Sequence, residues 1–269
     1  MANEVEKAKQ NEVAVPEKEL SRSELMKLYG IEGVAEGTES IGIQHVIVPR
    51  LYIAQKNSQK ADDDMGDAKV PFGALYNSVT GEIYSRFDPN PDNNGSILAV
   101  FLKADIGRAQ FTDDGKLKHR SLDTLRCDPS MPRRDGITLC KNCPDSKFTT
   151  KDDGSPKKPV CPEGFTYLTI VKRGDGFDGP FLFTCKSTAW KPALKLNTEV
   201  KMTGLPYYAF VYKIYTIKET DPQVHWIPQF EKIARIQPDN EFFIAMKSMF
   251  EQYKGQRFDD AAEDGDTPF

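Results

Sequence analysis

Alternation of apolar and polar side chains dominates the chain from about residue 43 to residue 236. Residues 43–54 alternate and are rich in β-branched side chains, which predicts a strand. Residues 71–86 predict strand, turn and strand, with 77–81 (Asn-Ser-Val-Thr-Gly) as the turn. Residues 96–104 form a nearly continuous apolar run, the pattern of a central strand. Further strands are predicted at 165–173, 180–185, 207–218 and 225–236. Helical spacing occurs at 188–196 and at 240–253, where Phe242, Phe243, Met246, Met249 and Phe250 recur three and four residues apart. Ser21 and Glu24 have capping-box spacing before Leu25, Met26 and Leu28, so a short helix is predicted there, stopped by Gly30. Residues 1–20 are polar and lack aromatics, too little apolar surface to order themselves. Segments 57–69 and 88–95 read as loops. Many short strands with irregular connections predict a mainly β protein with few helices, built on a small closed or partly open barrel.

These patterns divide the chain into a flexible N-terminal arm with a short helix at 1–40, a β domain at 41–250 with an insertion at about 120–165, and a tail at 251–269. Net charge changes this picture. The whole chain of 269 residues carries −4, but residues 258–269 hold five acids (Asp259, Asp260, Glu263, Asp264, Asp266) and no base. Residues 103–213 hold 20 Lys and Arg against 13 Asp and Glu, so a basic middle carries a separate acidic end. No stretch approaches the roughly 18 apolar residues of a membrane span, and no apolar signal segment is visible at the N-terminus. With five unevenly spaced cysteines, a reducing, cytoplasmic setting is expected.

Four of those cysteines, Cys127, Cys140, Cys143 and Cys161, fall within one segment poor in apolar residues. A C-x2-C turn presents two thiolates at the bite tetrahedral Zn²⁺ needs, so the expectation is one structural zinc held by these four. A redox pair at Cys140 and Cys143 would expect a βαβ setting, which the pattern lacks. His119 is an alternative ligand, crowded by Lys118 and Arg120. Cys185, inside an apolar run, is expected in the core.

A cationic groove with interleaved aromatics is the chemistry that binds single-stranded nucleic acid. The residues expected to build one are Arg50, Tyr52, Arg120, Arg126, Arg133, Arg134, Lys141, Tyr167, Lys172, Arg173, Lys186, Trp190, Lys191, Tyr212 and Lys213. The acidic end closes in Pro268 and Phe269, a segment able to occupy a cationic groove or to offer its last aromatic to a partner protein. Catalysis is not expected. The three histidines (His45, His119, His225) lie in no H-E-x-x-H, there is no phosphate-binding P-loop, and Asp62-Asp63-Asp64 sit in a polar loop.

Residues 264–269 (Asp-Gly-Asp-Thr-Pro-Phe) resemble the acidic tip of bacterial single-stranded DNA-binding proteins. Residues 47–58 and 73–82, the cysteine cluster, and 183–188 are similar to a family of tailed-phage proteins taken to bind single-stranded DNA. The phage T4-type single-stranded DNA-binding protein likewise inserts a zinc subdomain into an OB-fold and carries an acidic tail, with a histidine among its zinc ligands where four cysteines stand here. The resemblance implies an OB-fold with an inserted zinc subdomain that coats single-stranded DNA in phage replication, recombination and repair, in the host cytoplasm, and recruits replication proteins through its tail. The rival reading is a zinc-ribbon regulator acting on duplex DNA, which would need an Arg-, Asn- or Gln-rich helix for the major groove.

Overall fold

The computed structural model describes residues 48–56, 70–90, 94–112, 117–121, 123–130, 135–174, 176–221 and 223–258. The predicted arm and helix at 21–30, the 57–69 loop, Arg133, Arg134 and residues 259–269 lie outside them.

Three short strands, β1 (Leu51–Ile53), β2 (Leu75–Asn77) and β3 (Ile83–Ser85), form one antiparallel sheet. The turn between β2 and β3 falls where the sequence predicts it. Asn77 Oδ1 accepts the backbone N–H of Val79 at 2.9 Å, and Gly81 supplies a φ of +75°.

The larger sheet is built on β4 (Ser96–Phe111), a 16-residue strand whose apolar first half lies between two others. Its strand order is β11 (His225–Arg235), β10 (Phe210–Glu219), β4, β8 (Glu163–Arg173), β9 (Gly176–Lys186), with β5 (Leu117–Ser121) paired to the second half of β4. β6 (Thr149–Thr150) and β7 (Pro156–Lys157) make a separate small hairpin. Two helices complete the fold, α1 (Trp190–Thr203) and α2 (Glu241–Tyr253). Gly204 ends α1 in the left-handed conformation at φ +67°, and the Asn240 side chain caps α2 by accepting the Phe242 N–H at 2.8 Å.

Each face of the larger sheet carries a packed core. On one, Phe101, Tyr167, Phe183 and Tyr212 pack with Leu51 and Leu75 of the small sheet and with Ala193, Leu196 and Val200 of α1. On the other, Val100, Leu102, Leu168 and Ile170 pack with Met246 and Tyr253 of α2. Phe101 is 0 % exposed, and a Phe so placed contributes roughly 1.5–3 kcal/mol through burial alone.

This corrects the expected fold class. The chain is mixed α/β with open, uncurled sheets, not a mainly β OB-fold barrel. A barrel needs a ladder joining its edge strands. Here β9 and β11 are the two ends of the ladder and do not pair with each other. β1 touches the β9 edge through the single Arg50–Leu182 bridge, and Gln55 beyond β1 reaches the β11 edge through its side chain. The expected inserted zinc subdomain is corrected with it, since no group of three or more His, Cys, Asp or Glu among the described residues is arranged to hold a metal ion. No helix among them is long and apolar enough to cross a membrane.

Candidate functional site

α2 covers only part of its face of the sheet. Beyond it, directly opposed residues on neighbouring strands form two rows: Asp105, Thr166 and Thr184, then Gly107, Gly164 and Lys186. Ala109 continues the surface on β4, opposite Arg120 on β5. The result is a trough of about 470 Å³, counting its open mouth, with a floor of glycine, alanine and threonine. Small side chains let a ligand approach the sheet closely. Thr166 and Thr184 bring their hydroxyl oxygens within 3.2 Å of each other. The rim carries Arg108, Arg120, Lys186 and Phe258, and among the described residues Asp105 is the one carboxylate in the lining. Thr184 and Lys186 also line a second depression of about 540 Å³, bordered by Tyr52, Gln55, Ser187 and Trp226, so the two meet along β9.

Arg108 and Arg120 tie the rim to the cysteine-rich segment. Arg108 Nη1 donates to the carbonyls of Ser146 at 3.2 Å and Cys161 at 3.0 Å, and Nη2 pairs with Glu163. Arg120 Nε donates to Asp128 Oδ2 at 2.6 Å. Asp128 also accepts the Ser130 hydroxyl and N–H, and these bonds, followed by Arg120, hold its carboxyl down to about 2. Ser146 Oγ donates in bifurcated fashion to the carbonyls of Cys140 and Cys143, closing the C-x2-C turn.

The four thiols share that segment. Cys140, Cys143 and Cys161 are buried and Cys127 is half-buried. Burial pushes the Cys161 thiol up to about 12; Arg108 lowers it, while Cys140, Cys143 and Cys127 add to the rise, which places all three within its electrostatic reach. Four soft donors suit zinc in kind. Among the described residues no group of three or more such donors is drawn together around one point as the side chains stand.

Of the residues expected to contact nucleic acid, Arg120 and Lys186 line the trough and Tyr52 the depression beside it. Tyr52 is buried, with its ring centre 6.0 Å from that of Tyr76. Tyr167 and Tyr212 are corrected: both are 0 % exposed and belong to the core as neighbours of Phe101, so neither offers a stacking face. Arg50 is half-buried, its N–H donating to Ser78 Oγ at 3.0 Å. Lys172 and Arg173 sit at the far end of β8, away from the trough. There Arg173 pairs with Glu82 and with Asp178 at 3.3 Å, and Tyr84 donates to Asp178 at 3.4 Å. Burial, then the Asp178 and Glu82 carboxylates, raises the Tyr84 hydroxyl above its ordinary range. Arg126 and Lys141 are exposed on the cysteine segment, and Lys191 is exposed on α1. Lys213 lies on β10, its ammonium 5.5 Å from the Tyr215 ring centre. Trp190 stacks on Phe165 at 4.4 Å, which fixes the start of α1 against β8. The thirteen of the expected residues that are described therefore do not converge on one groove.

The trough's floor and Arg108 were missed by reading for charge and aromatics. The available signal was small residues two apart on two strands, Gly107 with Ala109 and Gly164 with Thr166.

No family model, no curated protein and no solved structure matches the chain. The resemblance to tailed-phage single-stranded DNA-binding proteins is thus not upheld: no match supports it, and the open sheets do not form the barrel it implies. The function drawn from it, coating single-stranded DNA in phage replication and recruiting replication proteins, is withdrawn. The rival zinc-ribbon regulator is withdrawn as well, since the described residues hold no metal cluster and no replication or regulatory protein matches.

Proposed function

We propose that the chain is a non-catalytic binding protein and that its trough receives an extended phosphate-bearing chain. The supporting observation is the lining itself: Arg108, Arg120 and Lys186 border a floor of small side chains, with Arg108 paired to Glu163 and Arg120 to Asp128. Phosphates gain charge-assisted hydrogen bonds from such a rim, and the threonine hydroxyls of the floor add neutral donors. Binding by cation–phosphate contacts releases condensed counterions, so it weakens steeply with salt.

Trp226 lines the depression that adjoins the trough, so its fluorescence reports occupancy there. Titration with inorganic polyphosphate should give saturable binding that falls by more than tenfold between about 50 and about 200 mM salt. Binding that ignores salt, or no binding at low salt, overturns the reading. Turnover of the polyphosphate overturns the non-catalytic part.

We also infer one structural Zn²⁺ for Cys127, Cys140, Cys143 and Cys161. The four thiols are the donor chemistry zinc takes, and they are gathered in one segment with little apolar burial of its own. Bound zinc would supply folding free energy to that segment and no reaction step. Metal analysis of purified protein should find one zinc per chain, lost when Cys140 and Cys143 are both changed to Ser; its absence overturns the inference.

A further inference from the structure

β11 is one end of the larger sheet, so one side of its backbone has no ladder strand beside it. The first part of that edge is closed. The Gln55 amide takes up both backbone groups of Trp226, donating to its carbonyl at 2.6 Å and accepting its N–H at 2.9 Å. Two residues on, Pro228 has no N–H to offer. The second part differs. Glu231, Lys232, Ile233, Ala234 and Arg235 are all exposed, and among the described residues their backbones bond only within the ladder to β10.

An open strand edge is a template for another strand, and its side chains decide which one fits. Glu231 and Arg235 carry opposite charges on either side of Ile233, which is 48 % exposed. Ile233 also lacks a counterpart on β10, because Lys232 faces Tyr212 and Ala234 faces Val211. The Lys232 ammonium lies back over β10, 4.9 Å from the Phe210 ring centre.

The pattern is its own complement. A second copy turned antiparallel about Ile233 sets each Glu231 opposite the partner's Arg235, each Lys232 opposite the partner's Ala234, and Ile233 opposite itself. Directly opposed side chains on antiparallel strands lie about 4.5–5.5 Å apart, within reach of both ion pairs. A parallel, in-register pairing would instead oppose Glu231 to Glu231 and Lys232 to Lys232, like charge to like.

We propose that residues 231–235 are a self-association edge, through which two copies of this chain pair antiparallel and join their larger sheets about a two-fold axis at Ile233. So short an edge buries less than the roughly 1,200 Å² of a stable complex, so the dimer is weak and depends on concentration.

Sedimentation equilibrium of the full chain tests this. The weight-average mass should rise from that of the monomer towards twice that value between about 1 and about 200 μM. A monomer throughout overturns the proposal. Glu231→Arg sets an arginine against the partner's Arg235 and should weaken dimerisation about tenfold, and Arg235→Glu should do the same. The double variant E231R/R235E restores both pairs in reverse and should dimerise within about threefold of the parent chain. Both positions are exposed, so the monomer's Tm should stay unchanged in all three variants. A dimer indifferent to the single changes, or one that the double variant fails to restore, overturns the pairing.

Discussion

Asn197 Oδ1, on α1, accepts the hydroxyl of Tyr167 on β8 at 2.7 Å. The same oxygen accepts the hydroxyl of Tyr207 at 2.9 Å, so one amide satisfies two phenols beneath the helix. Burial raises the pKa of both tyrosines above the ordinary phenol range, and they remain neutral donors. Asn197→Ala leaves the Tyr167 hydroxyl only the Ala193 carbonyl at 3.4 Å and the half-buried Tyr207 hydroxyl to solvent, and the loss of such a hydrogen bond costs about 0.5–1.5 kcal/mol. Urea denaturation should show a lower midpoint by that free energy. An unchanged midpoint would contradict the bond's assigned role.

Gly73 sits against Trp226. A Cβ there would lie 2.4 Å from Trp226 Cδ1, and its φ of +80° is already strained for any other residue. The Gln55 side chain holds Trp226 from the other direction, donating to its carbonyl at 2.6 Å and accepting its N–H at 2.9 Å. Gly73→Ala should therefore shift tryptophan emission to the red and lower Tm. Gln55→Ala should do so more weakly, since it removes bonds without adding a clash.

These contacts also mark how far the sequence could be read. The strand from 96 was legible because its first half is continuously apolar, and so were the Asn77 turn and the second helix, whose apolar spacing and Asn240 cap are local. The burial of Tyr167 and Tyr212 was not. A polar tip on an aromatic reads as a surface residue until Asn197 and α1 are known to cover it, and that contact joins residues 30 apart. Sheet closure was illegible for a similar reason: the pattern of short strands is the same whether β9 and β11 pair or end as edges. Arg120 and Lys186 were found by charge, but the floor that makes them a site is set by register between β4, β8 and β9.

Asp128 gives the rim a pH dependence. Its folded pKa, about 2, is depressed by the Ser130 hydroxyl, the Ser130 N–H and Arg120, in that order. A depressed carboxyl stabilises the folded state above its unfolded value of roughly 3.9 and loses that contribution as pH falls through the folded value. The link between Arg120 and the cysteine segment should weaken between about pH 4 and about pH 2. The Asp128 carboxyl carbon shift, followed by NMR, should titrate near the lower limit, and Ser130→Ala should move it upward. Titration near 4 in the parent chain would contradict the assignment.

Arg108 should control access to the buried thiols. Its guanidinium holds the carbonyls of Ser146 and Cys161, so Arg108→Ala leaves both without that donor and loosens the segment's attachment to β4. Thiol labelling of Cys161 should accelerate at least several-fold while Cys185, 0 % exposed in the core, labels at its parent rate. Equal acceleration at both would indicate global unfolding instead.

The central claim is that the trough is an anion-binding surface, and Lys186 is where its two depressions meet. The decisive measurement is the affinity of Lys186→Glu for inorganic polyphosphate at low salt, beside the parent chain and with thermal stability recorded for both. The account predicts at least a tenfold loss of affinity with Tm little changed. Undiminished binding by a folded Lys186→Glu protein would contradict it.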